Sequence, residues 1–247
     1  MLRGGAIVPH APLVALKGDP SCIALAEAAR AAWKEISQLG CPVVVLSPHG
    51  RATGVSSSGE GNLDAFGSLG ISVSATVDRE LAQRIADAWG RPLVDEPLDH
   101  GATGALVHAE DPGSIVTCTF AESTGPSPRG SIDEARKEAN GLAEVLIELS
   151  ENLDIAVVAS VHGAASVTPR APLTELPEGR AFDDAVLDAL ATDNAAIADI
   201  ADDLFRVGGT CSTGPLHVWA LLFGDRSSNV HAYDAPAGVG YPIATCK

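Results

Sequence analysis

Three of the seven histidines each follow an apolar segment with the composition of a buried strand. His10 lies in the sequence VPHAP, His49 in SPHG and His162 in ASVHG. The carboxyl ends of parallel strands meet at one edge of an open sheet, where such sheets bind ligands. Neutral imidazole is the commonest transition-metal ligand, and two histidines with one anion are typical of Fe(II) enzymes that activate oxygen. The pattern predicts a metal site, although any one of these histidines alone is more often a loop residue hydrogen-bonded to backbone.

His100 is a further candidate, because it lies between Asp99 and a glycine in the sequence DHG. The Asp99 carboxylate could hold the imidazole ring and fix its tautomer, which would make His100 a catalytic acid or base. The alternative is a capped turn, since aspartate is a favoured helix N-cap and glycine is common in turns. The remaining histidines are expected to be structural: His108, His217 and His231.

The five cysteines are an odd number, are widely spaced and include no C-x-x-C pair. This spacing argues against a disulfide framework and against a structural zinc knuckle. Cys211 is nevertheless a candidate metal ligand, because it precedes a predicted helix that begins near Pro215. A helix N-terminus favours the thiolate form of a nearby cysteine, and thiolate is a soft ligand. The alternative is that Cys211 is a buried thiol.

Apolar, β-branched segments alternate with helical patterns along the chain, which is typical of an α/β fold. The predicted strands are 5–8, 42–47, 114–120 and 155–161, and the predicted helices are 21–39, 78–89, 132–152 and 181–201. Two segments rich in glycine, serine or proline, 51–69 and 122–130, are predicted to be loops. We expect a single domain over residues 1–247, with a central, largely parallel or mixed β-sheet flanked by helices.

The charge balance limits the partners that this chain is expected to bind. Thirty-two acidic and 16 basic residues give a formal net charge of −16, which repels nucleic acid and anionic lipid. The first apolar run is interrupted by Pro9, His10 and Pro12 before it reaches the length of a signal peptide or a membrane span. We therefore expect a cytoplasmic protein that binds neither nucleic acid nor membranes.

Four motifs follow one another along the chain: VPHAP (8–12), SPHG (47–50), DHG (99–101) and YDAPAGVGYPIA (233–244). Four further segments accompany them: GNLDAFG (61–67), VTPRAP (167–172), AFDDAVLDAL (181–190) and GGTCSTGPLHVWALL (208–222). In this order and spacing they resemble the LigB-like superfamily of class III extradiol ring-cleavage dioxygenases, which includes the Memo-like branch. The resemblance spans nearly the whole chain and is specific at the level of the superfamily.

This resemblance implies an α/β domain with a metal pocket at one end of its sheet. Active members of the superfamily hold a non-haem Fe(II) with two histidines and a carboxylate, and they cleave the ring of a catechol. By the same resemblance, His10 and His49 would be the two histidine ligands, and His100 would line the pocket and assist proton transfer. A small aromatic substrate and a homo-oligomer are also implied.

The chain departs from the family pattern in two places. Memo-like relatives carry Gly-Asp-x-x-His after the strand that ends here at Val161, whereas this chain has Ala165 at the histidine position and His162 at the aspartate position. His162 is therefore a candidate catalytic base or replacement ligand. Extradiol enzymes also use a late glutamate as a metal ligand, and no glutamate follows Glu178 here. In the Memo-like branch a cysteine occupies that place, and Cys211 matches it.

Two functions remain open from the sequence. The first is Fe(II)-assisted ring cleavage of a small catechol-like aromatic. The second is a Memo-like metal-binding or redox protein, or a partner-binding module, with zinc or copper held by His10, His49, His162 and Cys211. The second explains the cysteine and the missing carboxylate. A metal-free remnant of the fold is the least favoured reading, because crowded imidazoles repel one another when protonated.

Overall fold

The computed structural model describes residues 1–15, 20–67, 70–121 and 132–247. A mixed sheet of nine strands forms the centre of the fold. The strands are β1 Leu2–Val8, β2 Val43–Gly50, β3 Gly54–Ser56, β4 Glu60–Asn62, β5 Ser72–Ser74, β6 Thr76–Val77, β7 Leu93–Val94, β8 Ser114–Ala121, β9 Ile155–Ser160, β10 Asn229–Asp234 and β11 Tyr241–Cys246. The helices are α1 Pro12–Ala15, α2 Pro20–Ser37, α3 Arg79–Trp89, α4 His100–Leu106, α5 Ile132–Ser150, α6 Pro177–Thr192, α7 Asp202–Gly208 and α8 Thr213–Phe223.

Four parallel strands occupy the middle of the sheet in the order β1-β9-β2-β8. On one side β11 pairs antiparallel with β1, and β10 pairs antiparallel with β11. On the other side β3 pairs antiparallel with β8, β7 pairs with β3, and β6 also pairs with β8. The strands β4 and β5 form a separate pair. The carboxyl ends of β1, β9 and β2 therefore lie side by side at one edge of the sheet.

Side chains of the central strands alternate between two apolar layers, because successive residues of a strand point to opposite faces. On β2, Val44 and Leu46 belong to the layer that includes residues of α3, α5, α6 and α8. Val43 and Val45 belong to the opposite layer, with residues of α2 and α4. Helices thus cover both faces, which explains why β2 and β9 are apolar and buried along almost their whole length.

Two glycines let helices approach β1 closely. A Cβ at Gly5 would lie 2.8 Å from the rings of Trp219 and Phe223 on α8. A Cβ at Gly104, on α4, would overlap the backbone carbonyl of His10. These contacts fix the position of the strand end that carries His10.

The predicted fold class is confirmed, with a mixed sheet flanked by helices. All four predicted strands are present, although β2 continues through Gly50, so that His49 lies within it. The helix predicted over 181–201 is wrong beyond Thr192, where Asp193 caps a separate 3₁₀ helix, Asn194–Asp199, by accepting a hydrogen bond from the Ala195 amide.

The loop predicted over 51–69 is also wrong in part, since it contains β3, β4 and a 3₁₀ helix, Asp64–Phe66. Both strands have only three residues and are specified by pairing partners distant in the chain, which local composition does not reveal. The loop predicted over 122–130 lies outside the described residues. Within those residues, no helix combines the length and apolarity required to cross a membrane.

Candidate metal centre

The three histidines predicted to converge do so at the carboxyl edge of the sheet. His10 follows β1, His49 is the penultimate residue of β2, and His162 lies two residues after the end of β9. The ring centroid of His10 lies 4.9 Å from that of His49 and 5.2 Å from that of His162. Cys211, two residues before α8, has its sulfur close to the same histidines.

The ligand atoms are close enough to share one metal ion. The Nε2 atoms of His10 and His49 are 3.2 Å apart, and the Cys211 Sγ lies 3.6 Å from the first and 3.2 Å from the second. Ligand atoms of His10, His162 and Cys211 all lie within 4.8 Å of one another. Metal–nitrogen and metal–sulfur bonds of normal length in a tetrahedral site place neighbouring ligands about 3.3–3.5 Å apart. The side chains present therefore fit a transition-metal ion.

The surroundings keep the imidazoles neutral. Burial, followed by the nearby histidines, holds the pKa of His10 well below its usual value of 6.5. Burial and the proximity of His100 and His162 lower the pKa of His49 to about 2. Burial also lowers the pKa of His162 to about 4. Neutral rings carry the lone pair that a metal ligand needs, so the electrostatics favour ligation over protonation.

The hydrogen bonds of His162 fix which ring nitrogen faces the site. Its Nδ1 lies 2.6 Å from the carbonyl oxygen of Gly163, and a carbonyl only accepts, so Nδ1 carries the proton. The unprotonated Nε2 is then the ligand atom. The backbone of His162 is also held by the Cys211 segment, because its amide donates to the Ser212 hydroxyl at 2.9 Å and its carbonyl accepts from the Thr210 hydroxyl at 2.8 Å.

His100 lies beside the candidate ligand His49. Its ring stacks on that of His49 at 3.8 Å between centroids and is 6.1 Å from that of His10. Asp99 caps α4, since its Oδ1 accepts from the Ala102 amide at 2.9 Å and from the Ser47 hydroxyl at 2.5 Å. The capped-turn alternative is thus confirmed for Asp99, and the cap ties the first residue of α4 to β2.

A pocket of about 570 Å³ opens beside His49 and His100. Phe66 forms part of its wall, and its ring lies 4.7 Å from that of His100. The rest of the lining is mixed: it includes the polar or charged Asn62, Thr119, Arg51 and Glu96 and the apolar Val94, Pro97 and Leu98. One candidate ligand, His49, therefore borders a space large enough for a small molecule, and the neighbouring Phe66 and His100 rings give that space an aromatic side.

Two further residues near the candidate site were not singled out from the sequence, although both lie in segments that carry the resemblance. Phe66 belongs to GNLDAFG, and Asp183 belongs to AFDDAVLDAL. Asp183 is buried on α6, and its carboxylate accepts from the Ala164 amide and the Tyr233 hydroxyl, both at 2.6 Å. Burial raises the pKa of Asp183 to about 6, while these two donors oppose the rise. The sequence indicated Asp183 only as an aspartate on the apolar face of a predicted helix.

No family model matches this chain, and no curated protein matches it. Among solved structures, it is similar to the crystal structure of an uncharacterized protein from Escherichia coli K12. The two are 16% identical, the match covers 99% of each chain, and the TM-score is 0.66. At this identity the similarity supports the α/β fold and carries no information on activity.

Proposed function

We propose that this protein is a metal-dependent enzyme of the LigB-like type, which cleaves the ring of a small catechol-like aromatic. The observation that carries the proposal is the group of His10, His49 and Cys211 ligand atoms, spaced 3.2–3.6 Å apart, next to a pocket of about 570 Å³. Structural metal sites are closed by protein ligands, whereas catalytic sites keep a position open for substrate. His49 belongs both to the ligand group and to the lining of the pocket, which supports the catalytic type.

The roles of the protein's own side chains follow from their positions. His10, His49, His162 and Cys211 would hold the ion. A bound Fe(II) would supply Lewis acidity and a path for electrons from the catechol, the net reductant, to oxygen. Phe66 presents a ring face to a planar substrate in the pocket. His100, stacked on His49 and lining the same pocket, is placed to accept or donate a proton at a substrate hydroxyl.

The ligand set also supports a second candidate, a Memo-like zinc or copper protein without dioxygenase activity. The sulfur of Cys211 lies 3.2 Å from the Nε2 of His49, and the group that could hold a metal contains no carboxylate within the described ranges. Thiolate favours zinc and copper(I), and imidazole suits all three metals. The identity of the bound ion therefore separates the two candidates.

Cytoplasmic location and self-association are parts of the same proposal. The five cysteines are an odd number and are widely spaced in the sequence, which supports a reducing compartment. A reducing compartment also keeps iron in the ferrous state. Gel filtration combined with light scattering would test the homo-oligomer, and a monomer at micromolar concentration would contradict that part.

The experiment is purification under anaerobic conditions without chelators, followed by elemental analysis and oxygen-uptake assays with a catechol panel. The variants are His10→Ala, His49→Ala, His162→Ala and Cys211→Ala, with His231→Ala as the control. His231 is a histidine remote from the site, hydrogen-bonded to Thr245 at 2.8 Å.

Near-stoichiometric iron, lost in the His10 and His49 variants and retained in the control, together with catechol-dependent oxygen uptake, is the expected result. If the protein instead contains zinc or copper, loses it in Cys211→Ala and consumes no oxygen, the second candidate function would replace the first. The absence of any bound metal, even after reconstitution of the purified protein, would contradict both.

A further inference from the structure

Asp183 is the one acidic side chain that is buried in the part of the chain that the structure describes, with 2% of its surface exposed. Burying a carboxylate is costly unless it is hydrogen-bonded, so a position of this kind needs a compensating role. Asp183 lies on α6 and points at the segment that follows β9, directly after His162.

The carboxylate is enclosed on several sides. Its Oδ1 accepts from the Ala164 amide and its Oδ2 accepts from the Tyr233 hydroxyl, each at 2.6 Å. A Cβ at either Gly163 or Gly240 would overlap its oxygens. The backbone packs directly onto the carboxylate at both glycines, which fixes its position relative to the Gly163–Ala164 peptide.

The Gly163–Ala164 peptide connects Asp183 to His162. The N–H of this peptide, which belongs to Ala164, donates to Asp183, and its C=O, which belongs to Gly163, accepts from Nδ1 of His162 at 2.6 Å. Both hydrogen bonds therefore involve one planar group. An anionic acceptor at the N–H end polarises the peptide and makes its oxygen a stronger acceptor, because linked hydrogen bonds reinforce one another.

The same segment is anchored from its other side by β-type pairing. The Gly163 amide donates to the Gly240 carbonyl at 2.7 Å, and the Gly240 amide donates to the Ala164 carbonyl at 2.9 Å. The peptide thus cannot rotate without breaking bonds to both α6 and the segment before β11. A rigid peptide transmits the effect of Asp183 to the imidazole ring.

We propose that Asp183 is a positioning residue that orients His162 through the Gly163–Ala164 peptide and strengthens its Nε2 as a metal ligand. Metal-bound histidines commonly donate their other N–H directly to a carboxylate or to a backbone carbonyl. Here His162 donates to the Gly163 carbonyl, and the Asp183 carboxylate accepts from the N–H of the same peptide. The inference deepens the proposed function and rests on it, because it assumes that His162 contacts the metal.

The test compares the affinities of four proteins for Co²⁺ and Zn²⁺ at pH 8, where Asp183 is anionic. Asp183→Asn keeps the shape and an acceptor for the Ala164 amide but removes the charge. Tyr233→Phe removes one donor to the carboxylate and keeps its charge. Asp184→Asn is the matched control, since it removes the same charge from the adjacent, exposed carboxylate, whose partner is Arg180 at 3.0 Å.

Asp183→Asn is expected to weaken metal binding about 10- to 100-fold, the range found when a partner of a ligating histidine is removed. Tyr233→Phe should weaken it less than tenfold, and Asp184→Asn should leave it unchanged. The visible absorption of bound Co²⁺ should shift in Asp183→Asn, because a weaker nitrogen donor changes the ligand field. In a His162→Ala background, Asp183→Asn should cause no further loss of affinity.

Equal affinities for Asp183→Asn and Asp184→Asn in folded proteins would overturn the inference. The inference would also be overturned if Asp183→Asn weakened metal binding as much in the His162→Ala background as in the wild type. Asp183 would then act on the stability of the fold and not through His162. If Asp183→Asn does not fold, the metal affinity of Tyr233→Phe is compared in the wild-type and His162→Ala backgrounds. A loss of affinity that is equal in both backgrounds, or no loss in either, would overturn the inference. Failure of the unmodified protein to bind either metal would refute the proposed function instead.

Discussion

His10 illustrates how burial can make a single side chain suitable as a metal ligand. The side chain is 3% exposed, and burial is the largest cause of its lowered pKa, followed by the neighbouring His49 and His162. A neutral ring binds a metal without first releasing a proton, so binding at this residue should depend little on pH near neutrality. Three protonated imidazoles this close together would repel one another. Three neutral imidazoles at the same distances can instead bind a cation placed between them.

His108 allows a test of burial at a residue outside the site. Burial, then Arg30, lowers its pKa to about 4 from 6.5, and its Nε2 has no hydrogen-bond partner within the described residues. Between about pH 6.5 and pH 4, His108 is therefore protonated in the unfolded chain and neutral in the folded chain. Stability from this residue is present above pH 6.5 and is lost as the pH falls.

We predict that wild type loses about 2 kcal/mol more unfolding free energy than His108→Leu when the pH falls from 7 to 5. Leucine has a similar size and does not titrate. Urea unfolding of the two metal-free proteins at both pH values measures the difference. An identical pH dependence would show that His108 accepts its proton in the folded state.

Phe66 permits a test of substrate recognition that leaves the metal ligands intact. Its side chain lines the pocket beside His100 and is half exposed, so it contributes little to the core. Aromatic stacking contributes about 0.5–1.5 kcal/mol. We therefore predict that Phe66→Leu raises the KM for a catechol substrate about two- to tenfold, with unchanged thermal stability and metal content. A fall in kcat with constant KM would assign Phe66 a different role.

At the scale of elements, the approach of α4 to β1 should be sensitive to a single methyl group. A Cβ at Gly104 would overlap the backbone carbonyl of His10, which side-chain motion cannot relieve. We predict that Gly104→Ala lowers the unfolding free energy by about 1–3 kcal/mol, the usual cost of overpacking, and weakens metal binding. Denaturant unfolding and metal titration measure the two effects.

Gly141 on α5 is the matched control for this substitution. A Cβ there would lie 3.4 Å from Trp89, at an ordinary contact distance. Alanine is about 1 kcal/mol better than glycine within a helix. Gly141→Ala should therefore stabilise the protein and leave metal affinity unchanged. Similar effects of the two substitutions would mean that α4 can move away from β1 at little cost.

The central strands and the strand-end histidines were predictable from the sequence for a common physical reason. Apolar, β-branched runs report burial on both faces, and parallel strands bring their carboxyl ends together. His10, His49 and His162 followed from those two rules. The confirmed part of the prediction is thus the part that depends on local pattern and on the general geometry of open sheets.

Other elements depend on partners that local pattern does not contain. The short strand β3 exists because it pairs with β8, and the antiparallel β11 takes its position from β1. Asp183 accepts a hydrogen bond from the Ala164 amide, 19 positions earlier in the chain. Its acidic side chain in an apolar helix face indicated a special role, but the sequence did not show which backbone group it meets.

At the scale of the whole molecule, a metal ion would connect β1, β2, β9 and the start of α8. Since an unfolded chain does not hold the four side chains together, binding should stabilise the fold. At a free metal concentration 100 times the Kd, the expected gain is about 2.7 kcal/mol, or a rise in Tm of about 5–10 °C. Differential scanning calorimetry with and without the cognate metal measures this rise.

The net charge of −16 makes a control necessary, because an acidic surface attracts cations in general. Mg²⁺ at the same concentration should not raise the Tm, since histidine and cysteine are poor ligands for it. The His49→Ala variant should show a much smaller rise with the cognate metal. An equal rise in wild type and in His49→Ala would mean that the stabilising ions bind elsewhere.

The separation of the ligands along the chain has a consequence for biosynthesis. His10 and Cys211 are 201 positions apart, so at about 5–20 residues per second a ribosome needs about 10–40 s to pass from one to the other. During that time His10 emerges without its thiol neighbour. If the proposed site binds an ion that requires the sulfur, that ion could be retained only after Cys211 is made. The choice among cellular metals would then fall late in translation, when most strands of the sheet have been synthesised.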